Sequence, residues 1–194
     1  ERYTETVGDP AVVIAIVEGV VDHARAQLDR PVAQRERPGA GWTERLIAHL
    51  FATRAMGDDL EGRMALIPIA ERVRGPVESA LDSDAWARTM LAGTRTVIAI
   101  ERYRIAHGAL PDGLDALIPE FIAAVPTDPM AGGPMGYRRI ENDPHGRAYL
   151  VYSTGIDGVD DGGREAEGEM YVSPTDIAAG FDFIVNQPRR AMEQ

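Results

Sequence analysis

SDAWARTMLAGTRTVIAIERYRIAH, residues 83–107, carries Trp86, Met90, Leu91, Val97, Ile98 and Ile105 on one broad stripe with arginines opposite, and Gly108 follows at the position where a helix end favours glycine. The spacing predicts a helix over 83–107. After Gly108 the composition turns to proline, glycine and aspartate with short apolar runs between. MGYRRIE (Met135 to Glu141) and RAYLVYS (Arg147 to Ser153) flank NDPHG, which reads as a hairpin turning at Asp143-Pro144. EMYV (Glu169 to Val172) and FDFIV (Phe181 to Val185) are candidate further strands. A helical half followed by a small antiparallel sheet is an α+β arrangement, with the apolar stripe expected to pack on the sheet through Tyr137 and Tyr149 to Tyr152.

Upstream, Asp9-Pro10 supplies an N-cap and a first-turn proline, and apolar residues continue to Leu28, so a helix is expected from about Pro10 to Asp29. RPVAQRERPGAG then interrupts. A second helix is expected near Thr43, with Leu46, Ile47, Leu50 and Phe51 at helical spacing. Gly57 ends it or links it to a further segment reaching Arg74. Gly75-Pro76 reads as a breaker, which divides the chain into a helical segment, 1–75, and a long helix plus sheet, 76–194.

The composition excludes several functions. With 194 residues, 44% of them hydrophobic, the chain can bury a core of its own. A net charge of −11 repels phosphate backbones and anionic lipid heads, so nucleic acid is not an expected partner. Cysteine is absent and every basic residue is arginine, which removes thiol nucleophiles, zinc–thiolate sites and lysine-based chemistry. The longest apolar run, AVVIAIVEGVV, is 11 residues and contains Glu18, too short to cross roughly 30 Å of hydrocarbon.

The residues IAIERYRIAHGALPDGLDALIPEFIAAVPTDPMAGGPMGYRR, followed by YLVYSTGIDGVDDGG, form an ordered series: Tyr103, Gly108, Pro111, Gly113, Leu114, Leu117, Asp128, Pro129, Tyr137, Ser153, Gly155, Asp157 and Gly158. The series resembles the C-terminal half of the major pseudopilin of type II secretion systems, and also the pilin-like tail of some large envelope proteins. It covers roughly Trp86 to Val185, about half of the chain. The resemblance implies a pilin-like fold, a place on the extracytoplasmic face of the cell envelope, and work in assembly or contact with other envelope or pilus-like proteins. In that family the long helix runs back into an N-terminal membrane segment. Here Pro10 to Arg74 supplies other helices instead, so any membrane attachment is expected only through an anchor absent from this chain.

The same family holds a calcium ion in its Asp-Gly loop with a later aspartate. The resemblance therefore implies a calcium site around Asp157, with Asp160 and Asp161 as neighbouring ligands and either Asp176 or Asp182 as the distal one. Asp182 is preferred, because a strand there can return beside Tyr149 to Tyr152. Calcium takes six to eight hard oxygens, and glycines let a loop turn its carbonyls inward. Asp157, Asp160 and Asp161 do not match EF-hand spacing. From Glu141 to Asp176 there are nine acidic residues and two arginines, a repulsion that a cation would relieve. The plain alternative is a solvated turn in which Asp-Gly serves positive φ.

His23, His49, His107 and His145 show no zinc-ligand spacing, and neither Ser153 nor Ser173 has a nucleophile's setting. No catalytic residue is expected and the chain is read as non-enzymatic. An alternative function is a soluble ligand- or protein-binding module that uses the helices of residues 10–74 as a groove.

Overall fold

The computed structural model describes residues 10–35, 41–53, 60–165 and 180–187. The expected cap at Asp9, the strand expected over Glu169 to Val172, and Asp176 lie outside these residues. Among the described residues the α-helices are α1 (Pro10–Leu28), α2 (Trp42–Thr53) and α3 (Leu60–His107), followed by strands β1 (Gly136–Arg139), β2 (Tyr149–Ser153) and β3 (Phe183–Ile184). The architecture is α+β, a long helix packed on a small three-stranded antiparallel sheet. The chain divides into two compact units, Glu1–Arg30 with Arg35–Leu81, and Pro31–Gln34 with Asp82–Gln194.

In the first unit Val12 and Ile16 of α1 pack with Ile47 of α2 and with Leu66 and Ala70 of α3. Gly19 permits close approach, since a Cβ there would stand 2.7 Å from Leu46 Cδ1. Arg35 donates to the carbonyls of Arg30 and Leu81 at 3.0 Å each.

Gly75-Pro76 does not break the chain, because α3 runs through both Pro68 and Pro76. An interior proline deletes one helical hydrogen bond and crowds the carbonyl four residues back, at about 3 kcal/mol. Two features oppose that. Arg74 spans the position, bonded to Glu71 and at 2.8 Å to Glu78. Burial also anchors the helix on either side, at Leu66 and Ala70 before and at Ala85 after.

In the second unit α3 meets the sheet through Ala99 and Ile100, which pack with Leu114, Leu117, Met135, Tyr149 and Val151. This corrects the expected stripe. Leu91 is 52% exposed, Ile98 54% and Ile105 80%, whereas Ala85, Thr89, Thr96, Ala99 and Ile100 are buried. The physical reason is close approach. A Cβ on Gly93 would stand 2.5 Å from Val185 Cγ2, so at this position the chain beside β3 comes too near for any side chain, and the large residues Leu91 and Ile98 on either side turn outward. Both buried threonines satisfy their hydroxyls within the helix, Thr89 on Ala85 O at 2.9 Å and Thr96 on Ala92 O at 3.0 Å. Gly108 ends α3 at φ +72°, its amide bonded to Arg104 O at 2.9 Å, as its sequence position implies.

The strand order is β1-β2-β3, with Tyr137 opposite Val151 and Ser153 opposite Phe183. Central β2 is buried along its whole length. Its alternation sends Tyr149 and Val151 to the helix side and Leu150 and Tyr152, with Ile184, to the other. The hairpin turns where expected. The Asp143 carboxylate accepts the amides of His145 and Arg147 and pairs with the Arg147 guanidinium at 2.8 Å, and Arg147 also reaches Glu165. Among the described residues no helix is long and apolar enough to cross a membrane.

Candidate functional site

The loop that leaves β2 is fastened at its start. Ser153 Oγ donates to Asp128 Oδ1 at 2.9 Å and accepts the Gly155 amide at 3.2 Å, and the Thr154 amide reaches Asp128 Oδ2 at 3.0 Å. Asp128 also takes the Met130 amide at 2.9 Å and holds the turn whose amide Gly132 returns to Asp128 O at 2.7 Å. Burial pushes the Asp128 carboxyl up from its ordinary pKa while these donors pull it down. The Asp-Pro and Ser-x-Gly positions of the sequence series are thus one buried tie between the segment after α3 and the end of β2.

Beyond the tie the chain folds back over the outer face of the sheet. Gly163, at φ +74°, lies so close that a Cβ would stand 2.9 Å from Leu150 Cδ1, and only glycine suits both the conformation and the space. The four expected aspartates then separate into two kinds. Asp157 spends its carboxylate on backbone, its Oδ1 taking the Val159 amide of its own turn at 3.1 Å and its Oδ2 the Gly180 amide, two residues before Asp182, at 3.3 Å. Asp160 Oδ1 accepts the Gly162 amide at 2.8 Å and the Tyr152 hydroxyl at 3.0 Å.

Asp161 and Asp182 differ from these. Each carries a buried carboxylate oxygen with no hydrogen-bond partner, Oδ2 of Asp161 and Oδ1 of Asp182. Asp182 is fully buried immediately before β3, its amide bonded to Arg164 O at 2.9 Å and its Oδ2 taking the Gly163 amide at 2.6 Å. Burial pushes its carboxyl pKa up, the backbone of Gly163 and Asp161 opposes that, and the charges of Asp160 and Asp161 push it further. The fold therefore brings Asp160 and Asp161 into electrostatic range of Asp182, and both oxygens of Asp157 already accept backbone amides. Among the described residues no group of three or more histidine, aspartate or glutamate side chains is gathered that could hold a metal ion by side chains alone. A cation there would need backbone carbonyls and water to complete its shell, which is ordinary for calcium.

The β3 return that favours Asp182 over Asp176 is in place, since Phe183 and Ile184 pair with Ser153 and Tyr152. Sequence reasoning missed the buried role of Asp128. Its signal was there in Asp128-Pro129 with Gly132-Gly133, a turn motif whose aspartate side chain bonds its own backbone two residues on. Comparison with protein-family models, with curated proteins and with solved structures finds no match to this chain.

Proposed function

We propose that the chain is a non-catalytic, pilin-like protein of the cell envelope, working in assembly or protein contact, whose acidic loop is fixed onto the sheet by calcium. The observation that carries the metal is the pair of buried, unpartnered oxygens on Asp161 and Asp182. An ionised carboxylate is costly to bury without a counter-charge, and two of them repel. A divalent cation with hard-oxygen preference relieves both penalties. Asp161 and Asp182 would hold the ion directly, with Asp160 adding charge beside them and Asp157 shaping the turn. Bound there, calcium supplies charge neutralisation and a cross-link from the loop to the start of β3. Such a site suits an extracytoplasmic place, where weak calcium sites, with Kd on the order of 10⁻⁴ to 10⁻³ M, are filled. The pilin-like reading is supported by the ordered series from Tyr103 to Gly158 and by the helix-on-sheet architecture.

Thermal unfolding of the chain in millimolar calcium against chelator tests the metal. The expected outcome is an upward shift with calcium that magnesium does not reproduce at equal concentration. An identical midpoint in calcium and in chelator would sink it.

A further inference from the structure

The face of α3 turned away from the sheet is built as a second packing surface. Leu91, Ile98 and Ile105 recur at seven-residue intervals, each two residues beyond an inward-facing Thr89, Thr96 or Tyr103. Two residues are about 200° around a helix, so the three lie on the side opposite the core. They are 52%, 54% and 80% exposed, and the exposed Ala87 and Thr94 lie on the same side, Thr94 between Leu91 and Ile98 and Ala87 one turn before Leu91. Residues seven apart fall within about 20° of one another around a helix, so Leu91, Ile98 and Ile105 form one continuous apolar row along this side.

The charge beside the seam is equally regular. Arg88, Arg95 and Arg102 also recur at sevens and are exposed along one flank. Arg88 pairs with Asp84 at 2.9 Å, and Arg102 lies over the Phe121 ring at 5.8 Å, so two of the three have placed guanidinium groups. This basic row stands in a chain of net charge −11. The other flank carries Met90, Val97 and Arg104, the last engaged with Glu101 at 2.7 Å.

These rows decide between occupants. A second copy laid antiparallel would set the arginine row against itself, and one laid parallel would set it against Met90, Val97 and Arg104. Neither offers carboxylates. We propose that this face docks an amphipathic helix of another protein, one with aliphatic residues at heptad spacing and a flanking row of glutamate or aspartate to meet Arg88, Arg95 and Arg102. Apolar residues on the seam supply affinity and the flanking charges choose the partner. The inference rests on the reading of the chain as a protein-contact module and names that partner's chemistry.

The probes are two synthetic helical peptides of about four heptads, with leucine and isoleucine on the seam and either glutamate or lysine along the flank. Each is labelled and titrated with the full chain at low salt, read by fluorescence anisotropy. The glutamate peptide is expected to bind at least about tenfold more tightly than the lysine peptide. Ile98→Asp should abolish binding with the circular dichroism and melting curve unchanged, and Arg95→Glu with Arg102→Glu should reverse the preference. Equal affinity for the two peptides, no saturable binding, or binding indifferent to Ile98→Asp would overturn the proposal. So would a chain dimer at sedimentation equilibrium that Ile98→Asp dissolves, since the occupant is then a second copy. A calcium-dependent melting shift in a chain that binds neither peptide leaves the metal reading standing and removes this inference alone.

Discussion

Ser153 donates its hydroxyl to Asp128 Oδ1 across 2.9 Å with both residues fully buried, and 25 positions of sequence are closed by that one bond. Removing the donor leaves a buried carboxylate short of a partner, a loss of about 1–3 kcal/mol for Ser153→Ala. The pH dependence follows from the direction of the shift. Burial holds the folded-state pKa of Asp128 above its unfolded value, so its charged form opposes folding and stability falls as pH rises through that window. Loss of the serine donor raises the folded pKa further. The deficit of Ser153→Ala, measured by chemical denaturation, should therefore be larger at pH 7 than near pH 4. A deficit independent of pH would show that the hydroxyl does not act through the carboxylate.

Ile100 and Ile98 are two residues apart and should respond in opposite ways to the same change. Ile100 is fully buried among Leu117, Met135 and Val151, so Ile100→Asp should cost several kcal/mol and leave little folded second unit. Ile98→Asp should change stability by less than about 0.5 kcal/mol. Parallel urea titrations of the two variants decide it, and a large loss at Ile98 would reverse the assignment of the helix faces.

Those two residues also show where the sequence is readable. Helix α1, the hairpin at Asp143-Pro144, the Gly108 stop and the β3 return were all legible, because each rests on a local rule of caps, turns or alternation. The facing of α3 was not. Reading by size gathers Trp86, Leu91, Ile98 and Ile105 into a core stripe, while the buried side of the helix is Ala85, Thr89, Gly93, Thr96, Ala99 and Ile100, with Ala99 and Ile100 in the core shared with the sheet. Small residues carry little hydrophobicity, so their regular spacing does not stand out until a partner is packed against them. The acidic loop was legible as a cluster of carboxylates, but not as to which of them its own backbone uses. Asp157 takes the amides of Val159 and Gly180, and that depends on where the chain folds after Asp161.

Gly93→Ala should destabilise the chain although alanine is the better helix former by about 1 kcal/mol. Its Cβ would meet Val185 Cγ1 and Cγ2 at 2.6 and 2.5 Å, and such overpacking typically costs about 1–3 kcal/mol. Val185→Ala removes both of those atoms and leaves Val185 Cβ, 2.8 Å from the added methyl. In the double variant Gly93→Ala, Val185→Ala, the penalty of the first substitution should shrink, and a cycle with no coupling between the sites would count against the close approach.

Asp143 is held well below the usual carboxylate range, first by hydrogen bonds from the Arg147 guanidinium and then by backbone amides. A depressed pKa contributes stability above the unfolded value of about 4 and loses it as pH falls. Asp143→Asn should therefore melt below the parent at pH 7, and the two curves should converge as pH is lowered towards 2. Curves that stay parallel over that range would mean the charge on Asp143 contributes nothing.

Asp182→Asn separates a metal ligand from a structural acceptor. Asparagine keeps an oxygen for the Gly163 amide, which lies 2.6 Å from Asp182 Oδ2, and removes only the charge. In chelator the parent carries a buried carboxylate whose folded pKa is raised, chiefly by burial and further by Asp160 and Asp161. Relative to the variant, its stability should fall as pH climbs from about 4 towards neutrality, so that the variant is as stable as the parent or more so at pH 7. With calcium the sign inverts. A cation favours the ionised form and depresses the folded pKa below the unfolded one, so the parent should lose stability as pH falls through the acid range. At a calcium concentration 100 times Kd the parent gains about 2.7 kcal/mol and the variant almost nothing. Unfolding midpoints of the two chains from pH 4 to 7, in calcium and in chelator, give four curves. The reading requires that the parent's stability relative to the variant rise towards pH 7 in calcium and fall in chelator; a variant less stable than the parent in chelator at that pH makes Asp182 a hydrogen-bonding residue with no need of a metal.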